Sequence, residues 1–404
     1  VSSNNFNKLL FFCHHCSEIS NNTKIIKLFA LVAVSIKIGL KFKTYMRNTK
    51  KKIRILIIFL LPFLGCKKNI QPQHIINEAM YFPLNTNTEW ETKSIASLGW
   101  NQNAVEPLKN YLIQKNTKSF MILVNGRIVM EEYFDGHSQN TSWEWNSAGK
   151  TLVAITTGIA QQENLININD KVSKYLGIGW TSEPLAKENL ITSKNLLTMT
   201  SGINDVSNLV TTSNLTYLAD AGTRWSYHNV FQKLMNVVAS ASNQNFETYF
   251  NVKLKNKIGM DGYWHTGIIF KIYNSNSRSM ARFGLLALNK GKWLNEQIIN
   301  ESFFNESMST SQSINPSYGY FWWLNGKANY MLPNSQTVYQ GLLVPNAPAD
   351  MYAAMGAKDQ RIYVIPSKNM VVIRMGNATN SANPTFALSN FDNELWSKIN
   401  EIIK

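Results

Sequence analysis

Ser119-Phe120-Met121-Ile122-Leu123-Val124-Asn125-Gly126-Arg127-Ile128-Val129-Met130-Glu131-Glu132-Tyr133-Phe134 reads as a β-hairpin. Two β-prone runs flank Asn125-Gly126, and such a two-residue loop favours a type I′ turn because both positions take positive φ. A second hairpin is predicted near the other end, where 361–365 and 370–375 flank Pro366-Ser367-Lys368-Asn369. Between the hairpins, apolar residues recur at helical spacing over 151–161, 230–241 and 278–289. Outside them lie a helix at 103–115, with Ala104, Leu108, Tyr111 and Leu112 on one face, and another within 386–403, through Phe391, Leu395, Ile399 and Ile402. Hairpins at opposite ends predict one antiparallel sheet closed by both termini. The fold class is therefore α/β (α+β), an antiparallel sheet flanked by terminal helices plus a helical lobe at about 150–300. No internal repeat is visible.

The chain has 404 residues, 44% of them apolar and 12% aromatic, enough for a full core. Its formal charge of +15 raises the question of nucleic acid, but residues 1–66 carry +10 of it. The remaining +5, spread over 67–404 with no arginine-aromatic motif, is a solvated surface, and nucleic acid is excluded as a partner. Met46 begins a tripartite signal: a basic stretch at 47–54, an apolar run at 55–65, then Cys66. Eleven apolar residues suit a signal-peptide core and are too short to span a bilayer. Leu64-Gly65-Cys66 resembles a lipobox, with Phe63 in place of the more usual Leu. The reading is a lipid on Cys66 and a place at the bacterial cell envelope, facing periplasm or exterior; an uncleaved apolar anchor or a plain buried Cys is the alternative. Residues 1–45 read as upstream translation, and Cys13 and Cys16 fall there, so the folded domain has no disulfide. Residues 67–92, polar and aperiodic, read as a tether, and 93–404 as the folded domain.

The usual hydrolase signatures are absent. There is no Gly-x-Ser-x-Gly, no His-Glu-x-x-His, and His74, His137, His228 and His265 have no metal-ligand spacing. What remains is Ser147-Ala148-Gly149-Lys150, the one Ser-x-x-Lys in the chain, at the start of the helical pattern. Residues three apart on a helix share a face, so the amine reaches the hydroxyl. A lysine takes a serine's proton once burial or nearby positive charge depresses its pKa, and a helix start offers N–H groups to an oxyanion. The alternative is an N-cap serine with a solvated lysine. Some 80 residues on, Tyr227-His228-Asn229 places a phenol and an amide on one short segment. A second Tyr-x-Asn, at Tyr249 and Asn251, sits on an apolar helix face with Phe246 and Phe250 and reads as core.

With these residues in view, the sequence resembles the serine β-lactamase-like hydrolases: class C β-lactamases, D-Ala-D-Ala carboxypeptidases, related esterases and nylon-oligomer hydrolases. The resemblance runs from about Leu98 to Gly376. Supporting matches are the segments 196–202, 280–284 and 318–323. It implies a β-lactamase/transpeptidase-like fold, Ser147 as nucleophile, Lys150 as base, Tyr227 as proton relay and Asn229 orienting Lys150 and substrate. It also implies the N–H groups of Ser147 and Gln360 as oxyanion donors, with no metal or organic cofactor. The family's third motif, Lys-Thr-Gly or His-x-Gly on a strand, falls on Ala357-Lys358-Asp359 and lacks its basic first position and its Gly. Lys358 restores the charge only by a one-residue slip, which in a strand reverses the side chain's face. Asp359 then stands where an anionic substrate would meet repulsion of about 1 kcal/mol or more. Trp143, Trp145, Trp225, Trp322 and Trp323 are read as core before they are read as pocket wall. The expected function is hydrolysis of a small ester, amide or peptide through an acyl-enzyme. β-Lactamase or D-Ala-D-Ala peptidase activity and a weakly catalytic sensor are the alternatives.

Overall fold

A computed structural model describes residues 78–85, 89–267, 271–380 and 390–403. The signal at 46–66, Cys66 and the upstream residues lie outside them. Helix α1 (Val105–Gln114) leads into strand β1 (Thr117–Val124), and β2 (Arg127–Tyr133) returns antiparallel to it. Asn125 and Gly126 take φ of 49° and 79°, the left-handed pair that the hairpin requires. A short strand β3 (Trp143–Glu144) precedes helix α2 (Lys150–Gln162), and α3 (Lys233–Ser242) follows. Strands β4 (Tyr263–Thr266) and β5 (Lys271–Ser275) join β3 in a small sheet. Helix α4 (Ser277–Leu288), β6 (Trp323–Leu324), β7 (Tyr352–Gly356), β8 (Gln360–Ile365), β9 (Met370–Gly376) and α5 (Asn390–Ile403) complete the main elements.

The main sheet has the order β2-β1-β9-β8-β7-β6, with antiparallel pairings throughout, so the first and last strand pairs meet at β1 and β9 as expected. Strands β8 and β9 are buried along their whole length because helices cover both faces. On one face, Gly284 of α4 lies on Val371, Ile362 and Ile373, where a Cβ would come within 2.6 Å of Val371. On the other, α1 and α5 pack, and Asp392 of α5 reaches Arg361 and Tyr363. Two sequence boundaries move. Helix α4 belongs to the sheet rather than to the lobe, since its apolar stripe is matched to β8 and β9. Within 67–92, the described residues 78–85 and 89–92 are not a free tether. Tyr81 donates its N–H to Asn125 O at 3.0 Å, Trp90 Nε1 donates to Gly126 O at 2.7 Å, and Arg282 reaches the carbonyls of Pro83 and Leu84. These bonds satisfy backbone groups that polarity alone left unassigned.

Helix α2 is buried at every residue from Lys150 to Ala160, the mark of a helix enclosed on all sides. Its closeness to the helix Glu301–Ser307 rests on Gly158, where a Cβ would stand 2.3 Å from the Phe303 ring. Replacing Gly158 with Ala raises helix propensity by about 1 kcal/mol. Overpacking costs about 1–3 kcal/mol, and a contact this short belongs at the upper end. Gly158→Ala is therefore expected to lower the urea midpoint, with Phe303→Leu in the same chain recovering part of the loss. A midpoint above wild type would show that the two helices separate freely.

Candidate active site

The turn before α2 is anchored from the small sheet. Trp145, fully buried, donates its N–H to Tyr273 O at 2.8 Å and its Nε1 to Ser275 Oγ at 2.8 Å. Asn146 follows in a left-handed conformation, φ 49°, and residues Asn146–Gly149 form a 3-10 turn into the helix. Ser147 thus sits half-buried on the turn and Lys150 at the first residue of α2. The Lys150 ammonium donates to Ser147 Oγ at 2.9 Å. The second group on Ser147 is the Tyr227 hydroxyl, hydrogen-bonded to it from the other segment singled out in the sequence.

Lys150 is 4% exposed, and among the described residues no carboxylate pairs with it. Its Nζ instead lies 4.7 Å from the Tyr227 ring centroid and 4.4 Å from that of Phe231. Ring faces attract a cation by about 0.5–2 kcal/mol, far less than the water that burial removes. Desolvation wins, and the amine's pKa falls from its ordinary value to about 7. Burial likewise raises the Tyr227 phenol, the Ser147 hydroxyl offsetting part of the rise. Tyr227 is held by Trp225, Tyr318 and Trp323, whose rings lie 6.3, 6.2 and 6.0 Å from its own. Trp225, Tyr318 and Trp323 are fully buried, as are Trp145 and Trp322. They form core beneath the site, and Trp143 alone of the five tryptophans is half-buried.

The remaining residues sit differently from expectation. Asn229 does not touch Lys150: its amide donates to Asn208 O at 3.1 Å, while neighbouring His228 bonds Ser207 O at 2.7 Å through Nε2. The 207–208 loop is thereby fastened to the segment carrying Tyr227. Ala357–Asp359 is not strand but a tight connection between β7 and β8, with Lys358 and Asp359 at φ 57° and 59°. Strand alternation therefore does not govern where these side chains point. Lys358 is half-exposed and pairs with Glu144. Asp359 turns inward, to Arg361 Nη2 at 2.8 Å and to the Thr379 hydroxyl at 2.7 Å. Burial opposes its charge, but Arg361 and Thr379 hold the carboxyl below its usual range. It does not set the charge that a substrate meets. The Gln360 side chain spans to Gly376, accepting from its N–H at 3.0 Å and donating to its carbonyl at 2.6 Å.

Close to Ser147 stands a residue that sequence reading passed over. A Cβ on Gly356 would lie 2.3 Å from Trp145 O and 3.1 Å from Ser147 N, so the end of β7 lies directly against the turn. Phe231, four residues beyond Tyr227, was not singled out in the sequence, and Asn146 and Gly356 carried no signal without the fold. Among the described residues no three His, Cys, Asp or Glu side chains form a group able to hold a metal ion.

Comparisons with known proteins bear on the fold. Residues 112–268 match the family model described as Beta-lactamase. An uncharacterised protein of Alkalihalophilus pseudofirmus is 24% identical over 310 residues, covering 67% of this chain and 86% of that one. A putative 6-aminohexanoate-dimer hydrolase from Bacillus anthracis superposes with a TM-score of 0.60 at 16% identity, over 81% of this chain and 92% of its own. A class C β-lactamase mutant superposes at 0.55 and 16% identity, over 73% and 96%. The chain thus carries a segment that matches the Beta-lactamase family model and has the β-lactamase/transpeptidase fold.

The depressed lysine has a consequence for stability. Below pH 7 Lys150 is protonated both folded and unfolded, and folding bears the cost of burying its charge. Between about 7 and 10.5 only the unfolded chain holds the proton, so stability rises with pH; above that range both forms are neutral. Lys150→Met is therefore expected to be more stable than wild type at pH 6, on the order of a few kcal/mol. Urea titrations at pH 6 and pH 9 check this, and an equal gap at both values would contradict the depressed pKa.

Proposed function

We propose that the protein is a serine hydrolase that cleaves neutral esters or amides through an acyl-enzyme on Ser147. The observation that carries this reading is the 2.9 Å approach of a buried lysine amine to that hydroxyl, with no carboxylate among the described residues to keep the amine charged. A base of pKa about 7 is half deprotonated at neutral pH and matched to its task. In the proposed sequence Ser147 Oγ attacks the carbonyl carbon as Lys150 takes its proton. Tyr227 passes a proton to the leaving group, and water then releases the acyl group by the same route reversed. The oxyanion meets the N–H of Ser147 at the start of α2 and a second N–H from the end of β7. Ala357 replaces Gln360 as the donor there, because Gly356 is the residue packed on the nucleophile turn.

Substrate charge follows from which cations are free. Lys358 is engaged by Glu144, and Arg361 by Asp392 and Asp359, so a carboxylate-bearing substrate has to displace an existing partner. Neutral substrates do not. The dimer hydrolase that shares the fold is the reason for including linear amides beside short esters in a turnover screen. Ser147→Ala is expected to abolish hydrolysis and Lys150→Ala to lower kcat by about 10³ or more. In the wild-type protein kcat/KM should rise with pH through about 7. Near wild-type turnover by Lys150→Ala, or penicillin hydrolysis outpacing every neutral ester, would remove the reading.

The site of action is proposed to be the bacterial envelope, with a lipid on Cys66 as the tether. The basic stretch, the short apolar run and Leu64-Gly65-Cys66 support it. Cys66→Ser should yield a soluble, active protein, and its continued flotation with membranes would point to an uncleaved apolar segment.

A further inference from the structure

Every backbone carbonyl from Gly356 to Gln360 is held by a side chain. Gly356 O accepts from Arg361 Nη1 at 2.9 Å and Gln360 O from the same nitrogen at 3.1 Å. Lys358 O and Asp359 O accept from Arg374 Nη1 at 2.7 and 3.1 Å. The fifth, Ala357 O, accepts from Asn146 Nδ2 at 3.1 Å, one residue before the nucleophile. Arg374 also donates through Nη2 to Lys115 O and Asn377 O, both at 2.8 Å, and through Nε to Thr117 Oγ1 at 3.3 Å. A fully buried guanidinium is thus spent mainly on main-chain carbonyls, without a carboxylate in its own hydrogen bonds.

This arrangement has a direction. The described peptides are trans, so the carbonyl and the N–H of one peptide point opposite ways. With Gly356 O turned to Arg361, the N–H of Ala357 points away from the arginines. The Cα of Gly356 in turn lies against Ser147 N and Trp145 O. Lys358 and Asp359 are both left-handed without being glycine, a conformation that costs free energy and persists where surroundings over-determine it. The two arginines supply that determination.

We infer that Arg374, Arg361 and Asn146 are positioning residues that clamp the 356–360 backbone by its carbonyls and so aim the Ala357 N–H at the acyl centre. The inference rests on the hydrolase reading above. In this chain, a backbone clamp built from the far face of the sheet does the work at the end of β7, where Ala357-Lys358-Asp359 stand in place of Lys-Thr-Gly or His-x-Gly. The three residues need not touch substrate. Loosening them should weaken stabilisation of the tetrahedral state while leaving ground-state binding and the lysine base alone.

The test uses the full-length chain, a neutral p-nitrophenyl ester, and phenylboronic acid as a reversible tetrahedral adduct of the serine. Arg374→Lys keeps the charge but not the fork that reaches several carbonyls. Asn146→Gly keeps the left-handed backbone but not the amide bond to Ala357. For each, kcat is expected to fall at least about tenfold, with KM within about threefold of wild type. Boronate affinity should fall in parallel, and the rising limb of the pH profile should stay in place. Where Arg374→Lys fails to fold, Asn146→Gly carries the test. A folded variant that retains both kcat and boronate affinity, or whose loss is all in KM, overturns the inference. A wild-type chain that neither turns over esters nor reacts with a fluorophosphonate at Ser147 would sink the hydrolase reading, and the clamp with it.

Discussion

The removal of water from one amine organises much of this molecule. Lys150 is four atoms of aliphatic chain and an ammonium at the first turn of a helix buried along eleven residues, Lys150–Ala160. Keeping it dry requires the helix to be central, with Phe231 and Tyr227 laid across its end. Tyr227 in turn needs Trp225, Tyr318 and Trp323 at its back. The aromatic cluster behind Tyr227 is thus tied to the pKa of a single group. A carboxylate in place of either ring would restore the amine's charge.

The sheet solves a different electrostatic problem. Arg361 and Arg374 stand opposite each other on β8 and β9, an arrangement that like charges disfavour. Asp392 of α5 grips Arg361 through both oxygens, at 2.6 and 2.9 Å, and Asp359 adds a third contact. Burial alone would draw Arg361 down, yet the two carboxylates outweigh it and hold its pKa above the ordinary value. Arg374 has only Coulomb help from a distance, and burial draws it down to about 10. The C-terminal helix therefore does more than cover apolar strands: it carries the counter-charge that lets both arginines sit inside.

Local signals proved readable where local energetics decide. The Asn125-Gly126 turn, both hairpins and the five labelled helices lie within a few residues of their expected positions, since turn chemistry and apolar periodicity operate over short spans. Ser147 and Lys150 were legible because one turn of helix brings them together. Polarity misled at 78–85, where the backbone is bonded to the hairpin turn and to Arg282. The third motif misled for a related reason: strand alternation was applied to three residues whose φ values make them a turn.

By itself, then, the sequence determined the two hairpins, the helical faces, the position of the Ser-x-x-Lys pair and the resemblance that pointed to the fold. These rest on spacing within a segment, which the covalent chain sets. The tertiary structure alone decided that burial lowers the pKa of Lys150, that the Asn229 amide fastens a loop, and that Asp359 faces Arg361. It also decided that Gly356 abuts the turn that carries Ser147. Apart from Asp359 and Arg361, which are two residues apart but brought together by a turn, each of these depends on groups more than 15 residues apart in the chain meeting within a few ångströms. Desolvation and hydrogen-bond geometry act through such distances in space, and no local pattern records them.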